Sequence, residues 1–236
     1  MRKFLLVLLV LVVVGLVGSD RFVKARAESE IAKQVAAQYA LPKEPSVEIG
    51  GFPFLTQAVS GKYERIDVAI GDYTQQGVTV QDVRIRLTGL NAPLGDLVSG
   101  EKGNLRAREA TASAVIPYGY IQQQVASRGV TKVSRSGNAV RLDGTYAFMG
   151  LSTPVGVVVS IRPTKEGILV TPQSVDVVGG LVQVPIGLVQ EQLRTLIPVT
   201  GLPMGSRITK VEPTDAGLRV TGEADNVPLN EPIPVS

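Results

Sequence analysis

The sequence predicts an α+β fold, a curled and mostly antiparallel sheet beside a long amphipathic helix and a few short ones. Three observations carry this: a helical stripe near the N-terminus, a period-two alternation over most of the chain beyond Pro45, and turn residues placed between the alternating segments.

The helix comes first. From Asp20 to Leu41, Val23, Ala27, Ile31, Val35 and Tyr39 recur every four residues, with Arg26, Glu28, Glu30, Lys33 and Gln38 around them. That spacing gathers the apolar side chains on one face, which needs a partner surface, either the domain itself or a membrane. Asp20 reads as the N-cap and Pro42 as the stop.

After Pro45 the period becomes two. Ile66, Val68 and Ile70 alternate with Arg65, Asp67 and Ala69; Val140, Leu142, Tyr146 and Phe148 alternate with Arg141, Asp143, Thr145 and Ala147. Each such strand has one apolar face. Between Val78 and Leu90 the apolar parity shifts, which predicts a bulge at Gln81 and Asp82 and a bend in the sheet. Ser136-Gly137-Asn138, Pro163-Thr164-Lys165-Glu166-Gly167 and Pro213-Thr214-Asp215-Ala216-Gly217 read as hairpin turns, so neighbouring strands are expected to be antiparallel. Short helical patterns interrupt the strands at Phe54 to Ser60, Pro117 to Arg128 and Gly187 to Ile197. There is no fixed-period repeat and no low-complexity linker, and the tail from Asn226 to Ser236, with three prolines, reads as an edge or a loose end.

Ahead of the helix, Met1, Arg2 and Lys3 precede an apolar run from Phe4 to Val14 that continues through Gly15, Leu16 and Val17. A charged n-region and an apolar h-region point to export. The run is shorter than the roughly 20 residues of a membrane-spanning helix, a range that uncleaved signal anchors share. Ala25-Arg26-Ala27 offers a small-x-small cleavage pattern. Residues 1–27 are therefore read as a signal peptide or a signal anchor, and 28–236 as one domain.

Composition narrows the chemistry. The chain has 24 Lys+Arg and 21 Asp+Glu; without Arg2, Lys3 and Asp20, residues 21–236 carry 22 against 20, too even a balance to point to nucleic acid. With no Cys there is neither a disulfide nor a lipid-modified cysteine, so a hydrophobic core must hold the domain together. With no His, Ser-His-Asp catalysis and His-ligated zinc are excluded. No Gly-x-Ser-x-Gly, Walker-type or Gly-x-Gly-x-x-Gly loop occurs. No catalytic residue, metal or cofactor is expected. A hydrolase would have to rest on carboxylates such as Glu64, Asp67, Asp82 and Glu109.

Gly51-Phe52-Pro53-Phe54-Leu55-Thr56-Gln57, followed by Gly61-Lys62-Tyr63-Glu64-Arg65-Ile66-Asp67-Val68, resembles the actinobacterial LmeA-like phospholipid-binding family. Ala114-Val115-Ile116-Pro117-Tyr118, Gly201-Leu202-Pro203-Met204-Gly205 and Gly217 to Gly222 fit in order, although the family often carries a larger apolar residue where Met204 stands. The resemblance covers about residues 20–230. It implies a TULIP-like fold, a curled sheet wrapped around a long helix with a lipid-sized apolar groove.

It also implies an exported lipid binder of the cell envelope or periplasmic space, secreted or anchored. A role in lipid transfer or lipoglycan maturation goes with it. The expected partners are a phospholipid or glycolipid and the membrane surface. The alternative is an anchored structural protein with a filled core, and the oligomeric state is open. Burying one methylene contributes about 0.8 kcal/mol, so an acyl chain of about 14 contributes about 11 kcal/mol before costs, and no sharp motif is needed.

Phe52, Phe54, Leu55, Val59 and Tyr63 are groove-lip candidates, though the same residues would serve as a cap on the sheet core. Leu188, Leu193, Leu196 and Ile197 are groove candidates on the late helix, with the same ambiguity. Lys62, Arg65, Arg106 and Arg108 are candidates for a headgroup phosphate.

Overall fold

The computed structural model describes residues 2–75, 77–99, 105–148, 151–177, 195–198 and 205–229. Helix α1 runs unbroken from Arg2 to Gln38. Asp20 is therefore not an N-cap. The apolar run ahead of it is already helical, and extending a helix costs far less than starting one. Asp20 sits inside α1 with only 3% of its surface exposed.

Beyond it, Val23, Ala27, Ile31 and Val35 all pack into a core, as their spacing predicts. The helix closes with Ala40 at φ 48. There the Ala40 N–H donates to Ala37 O at 3.4 Å and the Leu41 N–H to Ala36 O at 2.9 Å. This is a Schellman ending, and Pro42 comes directly after it. Tyr39 falls in that turn and is exposed.

The strands are β1 (Ser46–Gly50), β2 (Lys62–Gln75), β3 (Val78–Asn91), β4 (Arg106–Pro117), β5 (Val130–Ser136), β6 (Ala139–Phe148), β7 (Leu151–Pro163), β8 (Gly167–Val177), β9 (Thr195–Pro198), β10 (Arg207–Pro213) and β11 (Gly217–Pro228). The short helices are α2 (Phe54–Ser60), α3 (Leu94–Ser99) and α4 (Tyr118–Val125), the last extended by a 3-10 turn at Ala126–Arg128. The strands form two sheets, ordered β1-β2-β3-β4-β11-β10 and β5-β6-β7-β8-β9. The fold is α+β, and neither sheet closes into a barrel among the described residues.

All three predicted hairpins form. Gly137, at φ 61, and Asn138 link β5 to β6 as a two-residue turn between Ser136 and Ala139. In the other two the same Pro-Thr-x-x-Gly sequence closes the same way: the Thr164 N–H donates to Gly167 O at 2.7 Å, and the Thr214 N–H to Gly217 O at 2.8 Å. Asp82, at φ 49, breaks the extended run of β3 where the apolar parity shifts. Strand β11 continues through Pro228, and the Leu229 N–H donates to Leu105 O.

One expected helix is corrected. Thr195–Pro198, the end of the pattern read over Gly187 to Ile197, is strand β9, with Leu196 opposite Leu169 and Ile197 opposite Ile168. The open backbone edge of β8 recruits it, and β-branched Thr195 and Ile197 suit a strand. Residues 187–194, with Leu188 and Leu193, lie outside the described residues.

The chain divides into two compact units, residues 1–71, 84–111 and 224–236 in the first and residues 72–83 and 112–223 in the second. In the first, α1 packs on β1, α2 and α3, and Ile31, Ile49, Phe54, Tyr63, Ile66 and Leu90 fill the core. The Glu28 carboxylate accepts the Ile49 N–H at 2.8 Å, tying α1 to the edge of β1. In the second, Val130, Val133, Val140, Val159, Val211 and Leu218 form the core, and α4 covers it through Tyr118, Ile121 and Val125.

Candidate functional site

The Gly51-to-Val68 segment is a scaffold built around one buried amide. The Gln57 Nε2 donates to Gly50 O at 3.1 Å and its Oε1 accepts the Glu64 N–H at 2.9 Å, so a side chain from α2 joins the end of β1 to the start of β2. Gly51 makes room for it. At φ 91, a Cβ there would lie 2.6 Å from Gln57 Nε2 and 2.9 Å from Glu64 Oε2. Gly61, at φ 65, ends α2 by donating its N–H to Gln57 O. The Phe52–Pro53 peptide is cis.

At its N-terminus, helix α2 is preceded by Pro53, which supplies no side-chain cap. Its Leu55 N–H donates instead to Asp20 Oδ1 at 2.8 Å, so a carboxylate on α1 caps it from outside. Asp20 is a capping residue, as its residue type predicts, but of another helix.

This scaffold sorts the lip candidates into two sets. Phe54 and Tyr63 are buried core residues whose ring centroids lie 6.4 Å apart. Burial pushes the Tyr63 phenol pKa up, and its hydroxyl has no hydrogen-bond partner among the described residues. Phe52, Leu55 and Val59 face outward, Val59 with 90% of its surface exposed. Beside them, the Arg21 guanidinium lies 5.7 Å from the Phe52 ring centroid, and Arg26 lies 5.6 Å from that of the exposed Phe22.

In the second unit, the sheet β5–β9 presents a continuous apolar face. Val140 pairs with Val159, Leu142 with Val157, Ile161 with Val170, and Ile168 with Ile197. Burial fades along this row. Val140 and Val159 are buried, Leu142, Val157, Ile161, Ile168 and Val170 are half-buried, and Ile197 is 47% exposed. Leu196 lines an open concavity of about 480 Å³ with Thr164, Lys165, Glu166 and Leu169. Tyr118, the first residue of α4, also keeps its hydroxyl unpartnered among the described residues. Burial pushes its pKa up, Arg135 opposes this and Asp215 adds to it.

The headgroup candidates all belong to the first unit. Lys62 and Arg65 lie on β2, Arg106 and Arg108 on β4, all four exposed. Arg65 pairs with Asp67 at 2.8 Å, and Arg86 of β3 pairs with the same carboxylate. Sequence reasoning missed Arg84 and Arg86, which alternate with core-packed Ile85 and Leu87 and share the solvent face of these strands. The signal was the repeated Arg-x-Arg at 84–86 and 106–108. Of the carboxylates named for a hydrolase, Asp67 lies between Arg65 and Arg86, and Asp82 pairs with Arg219 in the second unit. No group of three metal-ligating side chains forms among the described residues.

A family model described as LmeA-like phospholipid-binding matches residues 18–223. No curated protein and no solved structure matches the chain.

Proposed function

Because the chain belongs to the LmeA-like phospholipid-binding family, we propose that it is an exported envelope protein that holds the acyl part of a phospholipid or glycolipid against the apolar face of its second sheet. The observation that carries this is the graded row Val140, Leu142, Val157, Ile161, Val170, Ile168 and Ile197, apolar throughout and half open at the β8–β9 side. An acyl chain laid there exchanges water for carbon without a specific bond. The reading is of a binder and not a catalyst, whose cargo is passed on in lipid transfer or lipoglycan maturation.

Native mass spectrometry with lipid extraction, on residues 18–236 made in a bacterial host without detergent, tests it. A stoichiometric phospholipid or glycolipid adduct is expected, lost in Ile197→Asp or Ile168→Arg while the fold persists by circular dichroism. A folded protein that carries no lipid and takes none from vesicles refutes the reading. That result favours an anchored structural protein, which the two side-chain-filled cores support. Unchanged lipid and lipoglycan profiles on deletion of the protein would remove the transfer and maturation role alone.

A further inference from the structure

We propose that the first unit docks flat on a bilayer through a platform made by Phe22, Phe52, Leu55 and Val59 with Arg21 and Arg26, held at a fixed height by α1. This rests on the reading of an envelope protein whose N-terminal apolar run enters the membrane.

Four observations place the platform at the bilayer interface. First, α1 is the described helix long and apolar enough to cross a membrane, with a mean hydropathy of 2.3 over its most apolar window, and its apolar residues from Leu6 to Val17 are exposed. Second, the same helix continues without a break into the core of the unit, so its axis fixes where the unit sits. Third, the Asp20–Leu55 hydrogen bond sets the start of α2 beside α1 only three residues, or about 4.5 Å of helix rise, past Val17.

Fourth, the uncharged apolar part of α1 is shorter than the hydrocarbon it would cross. Phe4 to Val17 spans about 21 Å, against about 30 Å of hydrocarbon, and six more residues are needed to cover the difference. Those residues reach Val23, and they include Arg21 and Phe22. A short span draws its flanking residues toward the bilayer, and the residues at that level are of the interfacial kind. Phe22 is 63% exposed and Phe52 57% exposed, each with a guanidinium beside its ring. Aromatic bodies at headgroup depth beside phosphate-seeking cations are what an interface accepts.

The chain has no cysteine, so single labels can be placed at will. The full chain, synthesised cell-free into vesicles of phosphatidylcholine and phosphatidylglycerol, would carry an environment-sensitive fluorophore on Leu55→Cys, Val59→Cys or Lys43→Cys. Lys43 lies past the far end of α1, which is about 27 Å along the axis from Asp20. Labels at 55 and 59 should shift to the blue and lose most of their emission to nitroxides carried on lipid headgroups, while the label at 43 stays quenchable by aqueous iodide. Labels at 55 and 59 that remain in water overturn the proposal. So does equal nitroxide quenching at 43, since the helix would then lie along the surface. Mass spectrometry of lipid bound to the sheet reads the lipid-binding proposal separately, so either idea can fail alone.

Discussion

Replacing Asp20 tests how far the N-terminal helix belongs to the domain. Its carboxylate is buried and accepts the Leu55 N–H at 2.8 Å. A hydrogen bond to a charged group contributes about 1.5–3 kcal/mol net, and the part-buried Leu55 N–H would lose that partner, a loss offset in part by no longer burying a charge. Asp20→Ala should therefore lose about 2 kcal/mol, and Asp20→Asn, which keeps an acceptor oxygen, about 1 kcal/mol.

For a domain of this size each kcal/mol moves Tm by about 2–4 °C, so thermal circular dichroism on residues 18–236 should show drops of about 4–8 and 2–4 °C. A chain beginning at residue 28 should fall further, because Val23 and Ala27 leave the core with the cap. If Asp20→Ala moves Tm by less than about 1 °C, or the chain from 28 melts with the chain from 18, the reasoning is wrong.

Gly51→Ala should cost at least about 2 kcal/mol in a denaturant titration, since φ 91 is strained for alanine and its Cβ would crowd Gln57 Nε2. Ala40→Gly should add about 0.5–1 kcal/mol, because the φ of 48 that closes α1 suits glycine; a loss would contradict the Schellman ending. Tyr63→Phe should raise stability by about 1 kcal/mol by removing a buried hydroxyl that has no partner among the described residues, and a loss would mean that the hydroxyl is bonded.

Burial raises the Tyr63 and Tyr118 pKa values in the folded state, so their contribution is complete below the unfolded value of about 10 and is lost as pH climbs through the folded one. Melts from pH 8 to 11 should show stability falling at the alkaline end, and less so in Tyr63→Phe; a flat profile would contradict the assignment.

Local patterns were legible where one periodicity or one turn governs the backbone. The Val23–Val35 stripe, the bounds of α2 and the three hairpins were readable because each depends on residues close in sequence. Helix α3 was not, because Leu94–Ser99 is too short to establish a period. Nor was β9, where the apolar spacing of a helix gave way to a partner edge contributed by β8.

The candidate site was half legible. Phe52, Phe54, Leu55, Val59 and Tyr63 were singled out together, but which turn inward depends on Asp20 and Gln57, and those are contacts across 35 and 7 residues. Apart from Ile197, the apolar face of the second sheet was not legible as a candidate site, since its residues look like ordinary strand alternation until their registers set them in one row.

The Glu28–Ile49 hydrogen bond has a colloidal side. Strand β1 ends its sheet, and an end strand offers unpaired N–H groups to any other chain that can lie alongside. One of the outward donors of β1 is already occupied by a carboxylate that also lies 3.5 Å from the Lys24 ammonium. A second copy arriving at that edge meets a taken donor and a helix. The solubility of this end of the sheet is thus encoded in α1, and a substitution at Glu28 would be felt first in how the protein keeps at high concentration.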